Sequence, residues 1–238
     1  YEWFKEGTQL GFAQDYNVSA TGGSETLKTY ISVGYYNEEG AVKDYDYTRY
    51  NFRFNIDYDI TSWLKLKPQI SGARYDIMDQ QADISALYSN MPWDSPYDAD
   101  GNLVGNAPNP TWVNTSGSNY MYDLQWNYNK TIGYEFMGNM DFDIKITDWL
   151  TFASVNNYRY LNSSRKEYQD PRSSGGLSVN GSLKDRIAQS YRIYSNQLIR
   201  FNKSFGLHSI NGVAAYEWNT YTGTVNESEK SGFAPGFT

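Results

Sequence analysis

The sequence contains no cysteine and only one histidine, His208. Without cysteine, a disulfide framework and a zinc–thiolate site are excluded. His208 lies beside a predicted turn, and a lone histidine builds neither a histidine-based triad nor a histidine cluster. We therefore expect no enzymatic activity, no metal site and no cofactor.

Long apolar runs are missing as well. No stretch of about 18 apolar residues occurs, which excludes a helical membrane span. Basic residues are in the minority, because 20 Lys and Arg stand against 27 Asp and Glu, for a net charge of -7. Nucleic-acid binding needs a basic patch, so we expect no nucleic-acid partner. No secretory signal is present at Tyr1, so we expect a processed chain or a piece of a longer one.

Aromatic residues, in contrast, are abundant, with 23 Tyr, 7 Trp and 11 Phe. Four of them fall in the stretch Arg49–Ile60, where apolar and polar residues alternate. Successive side chains of a strand point to opposite faces, so the stretch predicts a strand with one apolar and one polar face. The apolar set is Tyr50, Phe52, Phe54, Ile56, Tyr58 and Ile60, and the polar set is Asn51, Arg53, Asn55, Asp57 and Asp59.

The stretch Tyr134–Ile146 repeats this alternation. Its apolar set is Tyr134, Phe136, Met140, Phe142, Ile144 and Ile146, and its polar set is Glu135, Asn139, Asp141, Asp143 and Lys145. Both stretches exceed the usual strand of roughly 5–6 residues and suit a tilted strand of ~9–11 residues that crosses a bilayer. A one-residue slip of the first would expose Arg53 to lipid, at a cost of ~2–4 kcal/mol near the midplane.

Taken along the whole chain, the pattern predicts about eight strands in which tight turns and long loops alternate. They are Gln14–Ala20, Lys28–Tyr36, Tyr47–Ile60, Leu64–Ile77, Thr131–Ile146, Trp149–Leu161, Arg186–Lys203 and His208–Tyr221. Short turns at one end and long loops at the other are typical of outer-membrane barrels. We therefore predict an all-β, antiparallel transmembrane β-barrel with long extracellular loops, of which residues 1–238 form a part. The tail Thr222–Thr238 is polar and Gly-rich, and no strand is predicted there.

Two of the tight turns share a motif, Ile60-Thr61-Ser62-Trp63-Leu64 and Ile146-Thr147-Asp148-Trp149-Leu150. Indole is partly apolar and partly polar, so we expect both tryptophans at one membrane boundary. Two ordinary hairpin turns, each with a packed Trp, are the alternative.

Residues 79–130 form the longest connection, with one possible short helix at Gln81–Asn90. A connection this long is usually functional, and we expect a long extracellular loop. Aromatic faces stack on sugars, and the candidates for substrate binding are Trp93, Tyr97, Trp112, Tyr120, Tyr122 and Trp126. The alternative is that these residues pack the loop on itself or against a partner.

Acidic clusters in the sequence invite other interpretations. Asp98-Ala99-Asp100-Gly101-Asn102 resembles the start of a calcium loop, but Asn109 replaces its closing acid, which favours a plain turn. The pairs Asp57/Asp59 and Asp141/Asp143 share a strand face at ~7 Å, but a glycosidase needs a shaped cleft, and we expect these carboxylates to line a polar lumen.

Several segments, in order, resemble the SusC/RagA-like TonB-dependent transporters of Bacteroidota. They are Gln14–Ser24, Tyr30–Gly40, Arg49–Arg53, Asp148–Leu150, Asn196–Asn202 and Asn211–Glu217. This resemblance implies a barrel of 22 strands with an N-terminal plug, covered outside by a SusD-like surface lipoprotein. It also implies import of oligosaccharides or peptides, with energy from TonB delivered through the N-terminal region that this sequence does not contain.

On that interpretation the chain contacts outer-membrane lipid in the bacterial outer membrane. The residues predicted to line the transport path are Asn51, Arg53, Asn55, Glu135 and Asn139. Two alternatives stay open at this point. One is a passive porin-type barrel, which a TonB-binding segment before Tyr1 would exclude. The other is a soluble β-sandwich that binds glycans, in which the apolar faces would pack against a second sheet.

Overall fold

The computed structural model describes residues 1–79, 85–105, 112–113 and 117–235. Eight strands form one antiparallel sheet in sequence order, which we call the wall. They are β1 (Phe12–Gly23), β2 (Leu27–Glu39), β3 (Asp46–Thr61), β4 (Leu64–Asp79), β5 (Tyr128–Thr147), β6 (Leu150–Gln169), β7 (Ser182–Phe205) and β8 (His208–Ser231). The helical elements are α1 (Trp3–Gly7), α2 (Ala86–Ser89), α3 (Tyr120–Leu124) and a 3₁₀ turn at Leu177–Val179.

The number of strands and the antiparallel order are as predicted. Because all eight strands belong to one sheet, the alternative of a β-sandwich is wrong for the described residues. None of the helices in the described ranges is long and apolar enough to cross a membrane. The predicted helix Gln81–Asn90 is shortened to α2, and residues 81–84 lie outside the described residues.

The wall extends further at the long-loop end than the sequence indicated. β6 continues to Gln169, beyond its predicted end at Leu161, and β8 continues to Ser231, so the predicted tail begins with strand. The register pairs Gln189 with Thr224 and Lys184 with Glu229 in this region. Both faces of this extension carry polar residues, so the alternation that identifies a half-apolar strand is absent although the backbone ladder continues.

The two Trp turns have the same local geometry. Thr61 Oγ1 accepts the Trp63 N–H at 3.4 Å, and Thr147 Oγ1 accepts the Trp149 N–H at 3.4 Å. A register shift precedes each turn, at Asp59/Thr61 and at Lys145/Thr147. Both turns belong to the end of the wall where all four connections are short, so the predicted alternation of tight turns and long loops is confirmed.

One face of the wall is apolar and unburied. Phe52, Phe54 and Phe136 expose 46%, 36% and 39% of their surfaces. In register, Phe54 lies between Ile31 and Ile70, and Phe136 lies between Gly72 and Tyr160. These side chains form a continuous apolar surface, so the predicted face assignment agrees with the structure.

Candidate functional site: the polar face and the cap

The residues predicted to line a transport path all lie on the polar face of the wall. Asn51, Arg53 and Glu135 line one cleft of about 520 Å³, together with residues of β1, β2 and β4. Arg53 is exposed, whereas Asn51 and Glu135 are half-buried. Strands β3 and β5, which lie on either side of β4, thus bring two charged groups and an amide to one polar surface.

Asn55 and Asn139 belong to a neighbouring row of carboxamides. Asn55 pairs with Gln69 across β3 and β4, and Gln69 pairs with Asn139 across β4 and β5. Asn139 Nδ2 donates to Gln69 Oε1 at 3.4 Å, and Asn157 Nδ2 donates to Asn139 Oδ1 at 2.6 Å. Each amide has more donors and acceptors than these bonds use, so the row is able to bind hydroxyl or peptide groups.

A row of arginines crosses the same face, and sequence analysis found only its first member. The register runs from Arg53 through Ser71 and Met137 to Arg159 and Arg192. Glu135 Oε1 accepts from Arg159 Nε at 2.9 Å and lies 2.8 Å from its Nη2. Among the described residues, Arg53 and Arg192 have no carboxylate partner, so the row presents unpaired positive charge.

Arg159 and Arg192 escaped prediction because β6 and β7 carry polar residues on both faces. Asn156, Ser195 and Gln197 lie on the apolar side and bond to one another, with Ser195 Oγ donating to Asn156 Oδ1 at 2.8 Å. The alternation is blurred there, so the sequence does not reveal which residues share a face. The rows established for β3 and β5, extended across the sheet, would have identified both arginines.

One carboxylate of each acidic pair noted in the sequence forms ion pairs with basic side chains of other strands. Asp143 accepts from Lys67 at 2.9 Å and lies 3.7 Å from Arg200, and Asp59 lies 3.5 Å from Lys65. These ion pairs lie at the tight-turn end of the polar face. Such pairing supports the predicted lining role over a catalytic one.

A second region, which we call the cap, lies at the long-loop end. It comprises residues 1–10, the described part of 85–126, and residues 170–181. Its core contains the buried side chains of Trp3, Leu87, Trp112, Tyr120 and Met121. Trp3 Nε1 donates to the carbonyl oxygens of Asp94 at 3.0 Å and Met91 at 3.2 Å. The segment before β1 is therefore packed into the loop that follows β4.

The cap contains a cleft that brings together three of the six predicted substrate-binding aromatics. Trp93, Tyr97 and Trp112 line this cleft, which measures about 560 Å³. Trp93 exposes 66% of its surface, whereas Trp112 exposes 8% and donates from Nε1 to the Ser95 carbonyl at 2.9 Å. Trp93 thus offers a stacking face, and Trp112 forms part of the cleft's support.

The other three predicted aromatics lie elsewhere in the cap. Tyr120 is fully buried in the core, and this burial raises the pKa of its hydroxyl. Tyr122 and Trp126 are half-buried with ring centroids 6.2 Å apart. The Arg172 guanidinium lies over the Trp126 ring at 3.4 Å, a cation–π contact between the two long loops.

Two buried carboxylates strengthen this contact between the loops. Asp170 accepts from Arg172 Nε at 2.7 Å and Nη2 at 2.9 Å. Asp123 accepts from the Ser174 N–H at 2.9 Å and from the Ser174 hydroxyl. Sequence analysis did not identify the contact between Asp123 and Ser174, because partners 51 positions apart in the chain leave no local signal.

The Asp98–Asn102 segment forms the plain turn that the sequence favoured. Asp98 Oδ1 accepts from the N–H groups of Asp100 at 2.9 Å and Asn102 at 2.8 Å, and Gly101 has a φ of +85°. Hydrogen bonds from the Asn102 backbone hold the pKa of the Asp98 carboxyl below its usual value. Asn109, the position of the closing acid in a calcium loop, lies outside the described residues.

The chain was compared with known proteins in sequence and in structure. No family model matches. The chain is 27% identical to the TonB-dependent receptor P26 of Formosa agariphila, across 99% of this chain and 24% of that protein. It is 24% identical to the TonB-dependent receptor SusC of Bacteroides thetaiotaomicron, across 86% of this chain and 22% of that protein. The chain therefore spans about a quarter of the length of these relatives.

The fold also has a match among solved structures. The structure of the RagAB peptide importer in its closed-closed state matches 98% of this chain and 27% of that chain, with a TM-score of 0.80 and 20% identity. The open-open state of the same importer also matches with a TM-score of 0.80. The predicted resemblance is thus confirmed: the chain is similar in sequence to TonB-dependent receptors, SusC among them, and its fold matches a segment of the RagAB importer.

Proposed function

We propose that this chain is part of the wall of a transporter that imports oligosaccharides or peptides across the bacterial outer membrane. Two-faced strands carry this proposal. Phe52 and Phe54 expose an apolar surface suited to hydrocarbon, while Asn51, Arg53 and Asn55 present polar groups on the other face. Such a wall separates lipid from an aqueous path.

Energy for import would come from TonB, and a SusD-like lipoprotein would cover the extracellular end. The names of the relatives support the first part, since P26 and SusC are TonB-dependent receptors. The second part rests on the resemblance to SusC/RagA-like transporters, and the matching RagAB structures are those of a peptide importer. The cap, with the exposed Trp93 beside an open cleft, is the described region suited to contact a substrate or this lipoprotein.

Cysteine labelling tests the placement of the two faces. The segment has no cysteine, so Phe54→Cys and Asn55→Cys are a matched pair on adjacent positions of β3 in a cysteine-free full-length protein. In outer-membrane vesicles, a membrane-impermeant maleimide should label Asn55→Cys, and a lipid-soluble maleimide should label Phe54→Cys. Equal labelling of both by the impermeant reagent would contradict a lipid-facing Phe54.

Uptake measurements test the transport itself. Cells that carry the full-length protein should accumulate labelled oligosaccharide or peptide, and deletion of TonB should abolish accumulation. Uptake that persists without TonB would favour the passive porin alternative. Parallel assays with neutral oligosaccharides and with peptides decide between the two substrate classes.

A further inference from the structure

A cleft of about 400 Å³ lies on the apolar side of the wall, at the long-loop end. It is lined by Met78, Tyr128, Lys130, Ile132, Ser164 and Lys166. These positions share the face of Phe136, because side chains alternate along β5 and register pairs Met78 with Lys130 and Lys130 with Lys166. Cationic and apolar groups therefore meet on the outside of the wall.

The two lysines of this cleft lie directly opposite each other in the register of β5 and β6. Like charges in this position destabilise a sheet. Both lysines are exposed, and in the part of the chain that the structure describes neither forms an ion pair. Asp185 pairs with Lys166 in register but makes no salt bridge to it. An anion bound between the lysines would relieve their repulsion.

The neighbouring residues make this area positive relative to the rest of the face. Arg74 lies on the same face, with its guanidinium 5.8 Å from the Tyr134 ring centroid and 3.1 Å from Asp76. Lys230 of β8 lies on the same face, because it pairs in register with Leu183, which pairs with Tyr168 of β6. The balance reverses towards β3, where Asp46 pairs with Met78. On the outer face of β4 to β8 at this end of the wall, four cations thus stand against two carboxylates: Arg74, Lys130, Lys166 and Lys230 against Asp76 and Asp185.

The distance of the cleft from the apolar stretch Tyr134–Ile146 determines which layer of a membrane the cleft contacts. Lys130 lies four positions before Tyr134 on β5, which is about 13 Å along a strand at roughly 3.3 Å per residue. A transmembrane strand is tilted by ~35–45°, so this separation is about 10 Å along the membrane normal. A lysine side chain bends back towards the interface, and the headgroup layer lies directly outside the hydrocarbon.

We propose that this cleft binds the phosphorylated headgroup of an outer-leaflet lipid, with Lys130 and Lys166 on the phosphate. Met78 and Ile132 then contact the adjoining apolar part of the lipid. This inference rests on the proposed function, because it requires the apolar face to be in a membrane. The bound lipid fixes the depth of the wall and compensates for the like-charge pair.

Native mass spectrometry of the full-length protein, with bisphosphorylated lipid A as the probe, tests this site. Each lysine near an anionic headgroup contributes roughly fivefold in affinity. The variant Lys130→Gln/Lys166→Gln should therefore retain lipid A with about 25-fold lower affinity. The control Lys145→Gln/Lys203→Gln removes the same charge at the tight-turn end, where Lys203 Nζ lies 4.4 Å from the Trp149 ring centroid, and should change retention little.

Lipid A without phosphate provides the second arm, and wild-type protein should lose most of its retention with this probe. The inference is overturned if the double lysine variant retains bisphosphorylated lipid A like wild type, or if phosphate removal has no effect. Fractionation of the same cells separates this failure from that of the proposed function. Full-length protein found outside the outer membrane would contradict both proposals. Outer-membrane protein whose double lysine variant retains bisphosphorylated lipid A like wild type would contradict only the lipid site.

Discussion

The wall and the cap are stabilised in different ways. Among the described residues, the buried apolar side chains of the cap are Trp3, Leu87, Trp112, Tyr120 and Met121, and those of the strands are Ala153 and Tyr168. The wall is one sheet thick, so in the proposed membrane placement its stability depends on the backbone ladder and on the surrounding hydrocarbon. The cap has a small core of its own, like a soluble domain. The two regions therefore depend on different interactions, and we expect the same kind of substitution to have different effects in the wall and in the cap.

The largest effect is expected from a charge on the apolar side of the wall. Phe54→Arg removes an aromatic side chain whose burial in lipid would stabilise the protein by about 2 kcal/mol. It also places an arginine near the bilayer midplane, at a cost of ~2–4 kcal/mol. We expect the full-length protein to fail to assemble, measured as loss of the heat-modifiable folded band from outer membranes. Asn55→Arg, on the polar face, should assemble normally, and equal failure of both variants would contradict the two-faced wall.

Shortening a side chain in the core of the cap should destabilise the protein nearly as much, but only locally. Tyr120→Ala leaves a cavity beside Trp112 and Met121, and loss of a large buried side chain costs about 3–5 kcal/mol. Limited proteolysis of the full-length protein should show faster cleavage within 85–126 while the barrel stays intact. Tyr122→Ala, which removes a half-buried ring, should have a much smaller effect. Global unfolding by Tyr120→Ala would show that wall and cap are one cooperative unit.

The contact between the two long loops ranks third. Asp170→Asn leaves the Arg172 guanidinium without its charged partner, and loss of one member of a buried pair costs about 3 kcal/mol, less here because Arg172 is partly exposed. Hydrogen exchange should increase in residues 170–181 and around Trp126. Asp100→Asn removes an exposed charge in the cap and provides the control. Unchanged exchange in the Asp170 variant would mean that the loops are held by other contacts.

The smallest effect is expected from a substitution between β5 and β6, where a side chain replaces a backbone group as the hydrogen-bond donor. At this point the Asn156 side chain donates to the Met140 carbonyl at 2.8 Å, and its own N–H donates to Asp141 at 3.2 Å. Asn156→Val removes the first bond, and we expect a loss of about 1–2 kcal/mol in urea unfolding of the full-length protein. Asn157→Val, on the other face, leaves that carbonyl bonded and should cost less. A larger loss from Asn157→Val would reverse this ranking.

Sequence analysis predicted the wall well because the alternation of β3 and β5 is local and complete. It missed the strand at 222–231, where both faces are polar and nothing distinguishes a strand from a tail. It proposed Trp112 and Tyr120 as binding residues, and the structure places one in the support of a cleft and the other in the core. An aromatic ring suits a sugar or a core equally, so residue type alone does not separate these roles.

The packing of Trp3 against the loop after β4 has a consequence for the order of folding. Its hydrogen bond to Asp94 joins positions 91 residues apart, whereas each tight turn joins neighbouring strands. Closing so long a loop is entropically costly, so contacts of this kind form late. The hairpins β1–β2 and β3–β4 should therefore form first. The core of the cap should pack onto the end of the wall only after these strands have paired.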